Sequence, residues 1–253
     1  MKKAIQFIAP VVGALILWQI AAMTRFIDPA FFPPPTRVAT KTWELLVNGE
    51  IPTQLRITLG RVVAAFFIGI VPGVLLGLLM GWVKWVRIVF DPIITVIYPV
   101  PRIAILPLFL VIFGIGHAPV IAATALIAFF PAALTTYSGV AGLDKNLPLM
   151  ARNAGASTID VLRTIAFPAS LPVMLAGLRL ALGVALTGLV AAEFVASQDG
   201  LGARIWRFWQ LYRLPEMWAY IVVVALIGIV LQFGLLALQR RLLGWDEEVD
   251  LLN

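Results

Sequence analysis

Long apolar runs alternate along the chain with short polar joints, and none of the runs shows the every-second-residue alternation of a half-buried strand. In lipid, only helices and closed barrels satisfy every backbone polar group, so runs without alternation read as helices. About 20 mostly apolar residues cross a bilayer, and the runs at approximately 4–24, 58–83, 88–113, 117–139, 172–196 and 217–239 all reach that length. The pattern predicts an all-α polytopic membrane protein, one domain over 1–253 with six transmembrane helices. Between the first two runs, Pro33, Pro34 and Pro35 break the chain. Thr36 is placed there to cap a short amphipathic helix that ends near Asn48-Gly49 and lies along the membrane surface.

The joint between the fourth and fifth runs, within 143–168, is more polar than the rest and keeps helical periodicity. Gly155 ends one short helix, and Ser157 with Asp160 three residues later forms an S-x-x-D capping box that starts a second. Ile159, Leu162 and Ile165 or Ala166 share a face of that second piece, with Asp160 and Arg163 elsewhere. Pro168 is expected to terminate it and Pro172 to begin the next span. Taken by itself this is either an amphipathic connector or an element that docks on another protein.

Two spans carry internal patterns. Gly69, Gly73, Gly77 and Gly81 fall four apart on one face of the second, where missing side chains let another helix approach closely, inside one subunit or between two. The third holds Pro92, Pro99, Pro101 and Pro107, and each proline removes a backbone donor and clashes with the preceding turn. A membrane helix so broken packs against protein or lines a wet cavity.

Composition agrees with the pattern: 61% of the 253 residues are apolar, 13% are charged, and the mean hydropathy is +0.99. The net charge of +6 would suggest nucleic acid in a soluble protein, but basic residues in a membrane protein flank spans and meet anionic lipid, so nucleic acid is discounted. Lys2 and Lys3 before an apolar run resemble a signal peptide, yet the run to Thr24 exceeds the usual apolar core of one and reads as an uncut first span. With the N-terminus inside, Lys2, Lys3, Lys84, Arg87, Lys145, Arg152, Arg163, Arg240 and Arg241 fall in the cytoplasm. Arg25, Arg37, Lys41, Arg56, Arg61, Arg204, Arg207 and Arg213 fall outside. Nine against eight does not orient the chain.

Candidate chemistry is sparse. There is no phosphate-binding loop, so no nucleotide site is expected on this chain. The absence of cysteine removes thiolate metal sites and nucleophiles, and the single histidine, His117, at a span boundary reads as an interfacial polar residue. Charges within the hydrocarbon are functional candidates by default. Arg102, after Pro99 and Pro101, is placed to meet an anion or a carbonyl of the broken helix. Arg179 is placed to snorkel, and Glu193, near the outer end of the fifth span, reads as an exposed or salt-bridged carboxylate. The run Arg204–Trp218, with Trp206, Trp209, Tyr212 and Trp218, is an interfacial anchor or a docking surface for an outside partner.

Ala151, Gly155, Ile165 and Pro168 reproduce the spacing A-x3-G-x9-I-x2-P of the loop by which permeases of ABC importers dock on their ATPase. The segments at 31–38, 100–116, 171–202 and 238–245 also resemble the nitrate, sulfonate and taurine branch of that family. The glutamate and first alanine that open the family's loop motif fall on Leu149 and Met150 here. The resemblance covers essentially the whole chain and implies a type I ABC importer permease fold with a cytoplasmic coupling helix between spans 4 and 5.

It further implies a transport subunit rather than an enzyme, with ATP and Mg bound by a separate ATPase chain and no cofactor here. Expected partners are ABC ATPase subunits, an external substrate-binding protein, a second copy of the chain and membrane lipid. The expected location is the bacterial inner membrane, multi-pass, with both termini cytoplasmic. ATPase docking then falls on Ala151, Arg152, Asn153, Gly155, Ala156, Ser157, Asp160, Ile165 and Pro168. By analogy with the family, Tyr98, Arg102, Phe109, Phe113, Thr187 and Glu193 are candidates for the translocation path. The competing reading is a stand-alone secondary transporter or channel with Arg102 and Glu193 as ligands, which inverted repeats would favour; none is visible.

Overall fold

The computed structural model describes residues 2–144 and 146–243. Lys145, counted above among the cytoplasmic charges, and Gly244-Trp245, within one of the resemblance segments, lie outside them. Among the described residues the secondary structure is helical throughout: α1 (Lys2–Met23), α2 (Pro35–Val47), α3 (Glu50–Trp82), α4 (Lys84–Ile97), α5 (Leu106–Phe113), α6 (His117–Ala141), α7 (Asn146–Asn153), α8 (Thr158–Val161), α9 (Phe167–Ala196), α10 (Leu201–Gln210) and α11 (Leu214–Leu242). A 3-10 turn, Arg102–Ile105, precedes α5, and a π-helical turn, Leu162–Ala166, joins α8 to α9.

Among the described residues, four helices are long and apolar enough to cross a membrane: α3, α6, the continuous helix Thr158–Ala196, and α11. A shorter apolar stretch, Ala9–Met23, lies in α1. The third expected span is two pieces, Lys84–Ile97 and Arg102–Phe113, bent by 88°. Pro99 and Pro101 cause the bend, because neither has an N–H to donate to the preceding turn; Tyr98 is still helical, and the backbone is extended at Pro101 (φ −61°, ψ 103°). Twelve residues after the bend reach only about 18 Å as a helix, against a hydrocarbon core of about 30 Å.

The second expected span begins earlier than 58. α3 runs for 33 residues from Glu50, so Arg56 and Arg61 belong to the helix, and Arg61 is buried.

The chain divides into two compact units, residues 1–58 with 193–227, and residues 59–192 with 228–253. In the first unit, α2 starts after Pro34 with Pro35 in its opening turn and ends at Asn48-Gly49 as expected. Thr36 does not cap it. The free N–H of Thr36 is satisfied from α1, where Gln19 Oε1 accepts it at 3.2 Å while Gln19 Nε2 donates to Thr36 Oγ1 at 3.3 Å. A backbone donor at a helix start needs an acceptor, and a neighbouring helix can supply it as well as the preceding residue. The Trp218 ring lies 5.0 Å from that of Trp18 and 5.9 Å from that of Phe32, and its indole N–H donates to the Phe31 carbonyl at 3.0 Å.

The second unit is organised by the glycine stripe. Gly69 and Gly77 lie against the backbone carbonyls of Ala125 and Ala133 of α6 so closely that a Cβ would collide with them. At Gly73 a Cβ would sit 2.6 Å from the Phe129 carbonyl, and at Gly81 2.6 Å from Val140 Cβ. The stripe is therefore used inside one chain, the first of the two alternatives left open by the sequence. Ile70, Ala128, Ala132, Ala181 and Ala185 continue this small-residue core from α3 through α6 to α9.

Candidate functional site: the segment 146–168 and the broken helix

The polar joint folds largely as its spacing predicts. α7 ends at Asn153, and Gly155 takes φ +90°, a left-handed conformation open to glycine at no steric cost. The amide of Ala156 closes back on the Ala151 carbonyl at 3.0 Å. Ser157 then caps α8: its Oγ accepts from the Asp160 amide at 3.3 Å, and Asp160 Oδ2 accepts from the Ser157 amide at 3.0 Å and the Ser157 hydroxyl at 2.5 Å. These contacts hold the Asp160 carboxyl below the usual carboxylate range, first through the Ser157 hydroxyl, then through its backbone N–H. Asp160 is exposed and precedes the apolar run of 172–196.

Pro168 does not terminate the second piece. The helix continues from Thr158 to Ala196, through both Pro168 and Pro172. The π turn permits this: the Phe167 amide reaches back to the Leu162 carbonyl, five residues away, so the register widens where proline has no donor to offer. Beside this turn lies an apolar cavity of about 240 Å³ lined by Leu78, Leu79 and Trp82 of α3 with Leu162, Arg163 and Phe167.

The structure brings the nine predicted docking residues into one continuous surface element. Arg152, Asn153, Gly155, Ser157 and Asp160 are exposed, and Ala151, Ala156, Ile165 and Pro168 are half-buried. Around them Leu147 (44%), Leu149 (56%), Met150 (67%) and Ile159 (61%) are exposed apolar side chains. The apolar character of 147–150 was not singled out from the sequence, although it sits beside the motif.

The expected path residues are placed differently from one another. Tyr98, at the end of α4, and Phe113 and Thr187 are exposed, while Phe109 is half-buried with its ring 6.2 Å from that of Phe113. Thr187 Oγ1 donates back to the Gly183 carbonyl at 2.8 Å, and Thr187 shares an outward-facing side of α9 with Val173, Leu180 and Val184. Of its two expected partners, Arg102 finds the carbonyl. Its Nη2 donates to Tyr98 O at 2.8 Å, and its guanidinium carbon lies 4.6 Å from the Tyr98 ring centre and 5.3 Å from that of Phe130. The cation thus ties the residues after the proline break to the last turn before it.

Glu193 is not the exposed carboxylate expected. It is wholly buried, and it accepts from Thr58 Oγ1 at 3.1 Å and from the Gly202 amide at 2.9 Å. The Gly200 amide donates to Gln54 Oε1 at 2.7 Å and the Leu201 amide to Thr58 Oγ1 at 2.8 Å. Side chains 140 or more positions away in sequence therefore satisfy the free N–H groups that open α10. A Cβ on Gly200, which has φ +103°, would collide with the Glu193 carboxylate. His117, read as an interfacial polar residue, accepts through Nδ1 from Arg61 Nε at 2.9 Å.

α10 has two faces. Leu201, Ala203, Ile205 and Phe208 are buried, while Trp206 and Trp209 are exposed, stacked with centroids 4.9 Å apart.

Comparison with known proteins places the chain in a family. Residues 73–244 match the family described as binding-protein-dependent transport system inner membrane component. The chain is 36% identical over 241 residues to the taurine transport system permease protein TauC of Escherichia coli K12, covering 93% of this chain and 88% of that one. It is 31% identical over 236 residues to the putative aliphatic sulfonates transport permease protein SsuC of Bacillus subtilis, covering 93% and 86%. Among solved structures, an inward-facing MetNI methionine ABC transporter aligns with a TM-score of 0.67 at 21% identity, covering 78% of this chain and 96% of that one, which shows a shared fold. This chain belongs to the binding-protein-dependent inner-membrane components: it is a multi-pass permease subunit of an ATP-driven importer, and ATP hydrolysis belongs to a separate partner chain.

Proposed function

We propose that the segment 146–168 is the coupling element that carries ATP-driven motion from an ATPase partner into α9, and that the solute imported is a small sulfonate or similar anion. The carrying observation is the surface of that segment. Leu147, Leu149, Met150 and Ile159 are exposed outside the expected spans, where solvated apolar side chains favour burial against a partner. The capped α8 runs without interruption into α9, so a displacement of the cap is transmitted along one helix. ATP and Mg sit on the ATPase in this reading.

The reading also takes the whole chain as one permease domain in a two-fold dimer, served by an external substrate-binding protein, with both termini on the cytoplasmic side. The outward side of α9 with Thr187, and the exposed ends of the broken helix at Tyr98 and Phe113, then line the path between two copies. Arg102 braces the break, and Glu193 holds α10 in place rather than touching solute. The names of the two relatives, a taurine and an aliphatic sulfonate permease, support the substrate class.

Co-purification tests the docking. Ile159→Ser should abolish recovery of the ATPase from a folded permease and uncouple hydrolysis from transport, and undiminished recovery with coupled hydrolysis refutes it. Counterflow of labelled taurine in proteoliposomes containing the ATPase and the binding protein tests the substrate class. No sulfonate flux above that of a neutral amino acid removes it.

A further inference from the structure

Arg179 is a charge well inside an apolar helix. Among the described residues, Arg61, Arg102, Arg204 and Arg213 each pair with a side chain or a carbonyl. The guanidinium of Arg179 makes no such contact there, although its backbone carbonyl accepts from Gln232 Nε2 of α11 at 3.3 Å. That bond fixes the Gln232 amide beside Arg179 and leaves the second N–H of the amide free.

Room for the amide comes from Gly183, one turn further along α9, where a Cβ would sit 3.1 Å from Gln232 Nε2. Arg179 and Gln232 open onto a cavity of about 270 Å³ whose remaining walls are Ile229, Phe233 and Leu236. Ile229 and Phe233 are more than half exposed, so the cavity opens sideways at the surface of α11. Gln232 lies eight residues, about 12 Å of helix, before the basic pair Arg240-Arg241 that ends α11.

A fork of guanidinium donors, a held amide N–H and apolar walls together match an anion that carries an apolar tail. A lone cation at this depth is costly, and such a ligand would relieve that cost.

We propose that Arg179 and Gln232 form a binding site for a tetrahedral oxyanion bearing an alkyl chain. The chemistry is shared by the phosphate of a phospholipid, its acyl chain on Ile229 and Phe233, and by an alkyl sulfonate arriving from solution. The site is separate from the coupling segment and from the proposed path, and its test needs no transport.

The purified transporter complex, stripped of lipid in neutral detergent, is titrated with dioleoyl phosphatidylglycerol, with dioleoylglycerol and with hexanesulfonate. Bound ligand is counted by native mass spectrometry, and Tm is followed in parallel. The wild type should bind phosphatidylglycerol, and Arg179→Gln should bind it about tenfold more weakly, as loss of a charged hydrogen-bonding partner implies. Dioleoylglycerol, which lacks the phosphate, should not compete. If hexanesulfonate instead shows the Arg179 dependence, the oxyanion site stands and its ligand comes from solution.

Equal binding of both anions to wild type and Arg179→Gln overturns the proposal, as does equal binding of dioleoylglycerol and phosphatidylglycerol to the wild type. Should Arg179→Gln fail to fold, Gln232→Leu keeps the charge and removes the amide. Its anion affinity should fall about threefold, within the span of a single hydrogen bond, and unchanged affinity refutes the site.

Discussion

The seam between α3 and α6 and the segment 146–166 both depend on glycine, yet they are held in opposite ways. Along the seam, Gly69, Gly73 and Gly77 press onto the carbonyls of Ala125, Phe129 and Ala133, so the shape of each helix is enforced by the other. In the segment the turn and the cap are local, a left-handed Gly155 and the reciprocal bonds of Ser157 and Asp160, and although Val161 and Ala166 are buried, Leu147, Leu149, Met150 and Ile159 are exposed. The seam has its partner within the chain. The joint between α7 and α8 takes its shape from residues a few positions away, which suits the docking on a separate protein proposed above.

The difference can be broken from either side, beginning with the largest expected loss of stability. Gly73→Leu drives a branched side chain into the Phe129 carbonyl. Overpacking typically costs about 1–3 kcal/mol, and with backbone as the obstacle we expect little folded protein by size-exclusion chromatography. Normal yield and Tm would show that the seam is loose.

Glu193→Ala leaves the Thr58 hydroxyl and the Gly202 amide without their acceptor. The expected cost is about 1–3 kcal/mol, visible as a lower Tm and faster hydrogen exchange in the first turn of α10, whereas Glu193→Gln should retain part of the stability. In the segment, Ile159→Ser should leave Tm unchanged while ATPase co-purification falls, the opposite signature to the seam. It is a cleaner probe than Gly155→Trp, because a side chain at φ +90° strains the backbone as well as blocking a partner.

The smallest effect belongs to the cap. Ser157→Ala should cost about 1 kcal/mol and appear only as faster amide exchange at 158–161, with global Tm unmoved. The cap is also pH-dependent. Asp160 has its folded-state pKa lowered by Ser157, so its contribution is full above the ordinary carboxylate value of about 4 and is lost as pH falls through the lowered folded value. Exchange protection at the Asp160 amide that is flat down to the lowest accessible pH would show that the carboxylate contributes nothing.

Much of the site was legible because its determinants are local. Gly155 in a left-handed turn, the Ser157–Asp160 box and the end of α2 at Asn48-Gly49 each depend on residues within a few positions, and local chemistry acts at that range. Pro168 misled the reading for an equally physical reason. A proline ends an α-helical register, but a π turn ahead of it shifts that register, and one helix then runs to Ala196.

By itself, the sequence determined that the chain is helical and membrane-borne, where its long apolar runs lie, and that Gly155, Ser157 and Asp160 build a capped joint, because hydrophobic length and short-range hydrogen bonding are properties of contiguous residues. Only the tertiary structure decided that the glycine stripe faces α6 of the same chain, that Gln19 completes the start of α2, and that Glu193 lies buried with Thr58 beneath α10. These pairings join residues 17 to 135 positions apart. A donor left open at a helix end, or a bare glycine face, demands a partner without specifying which distant residue will supply it.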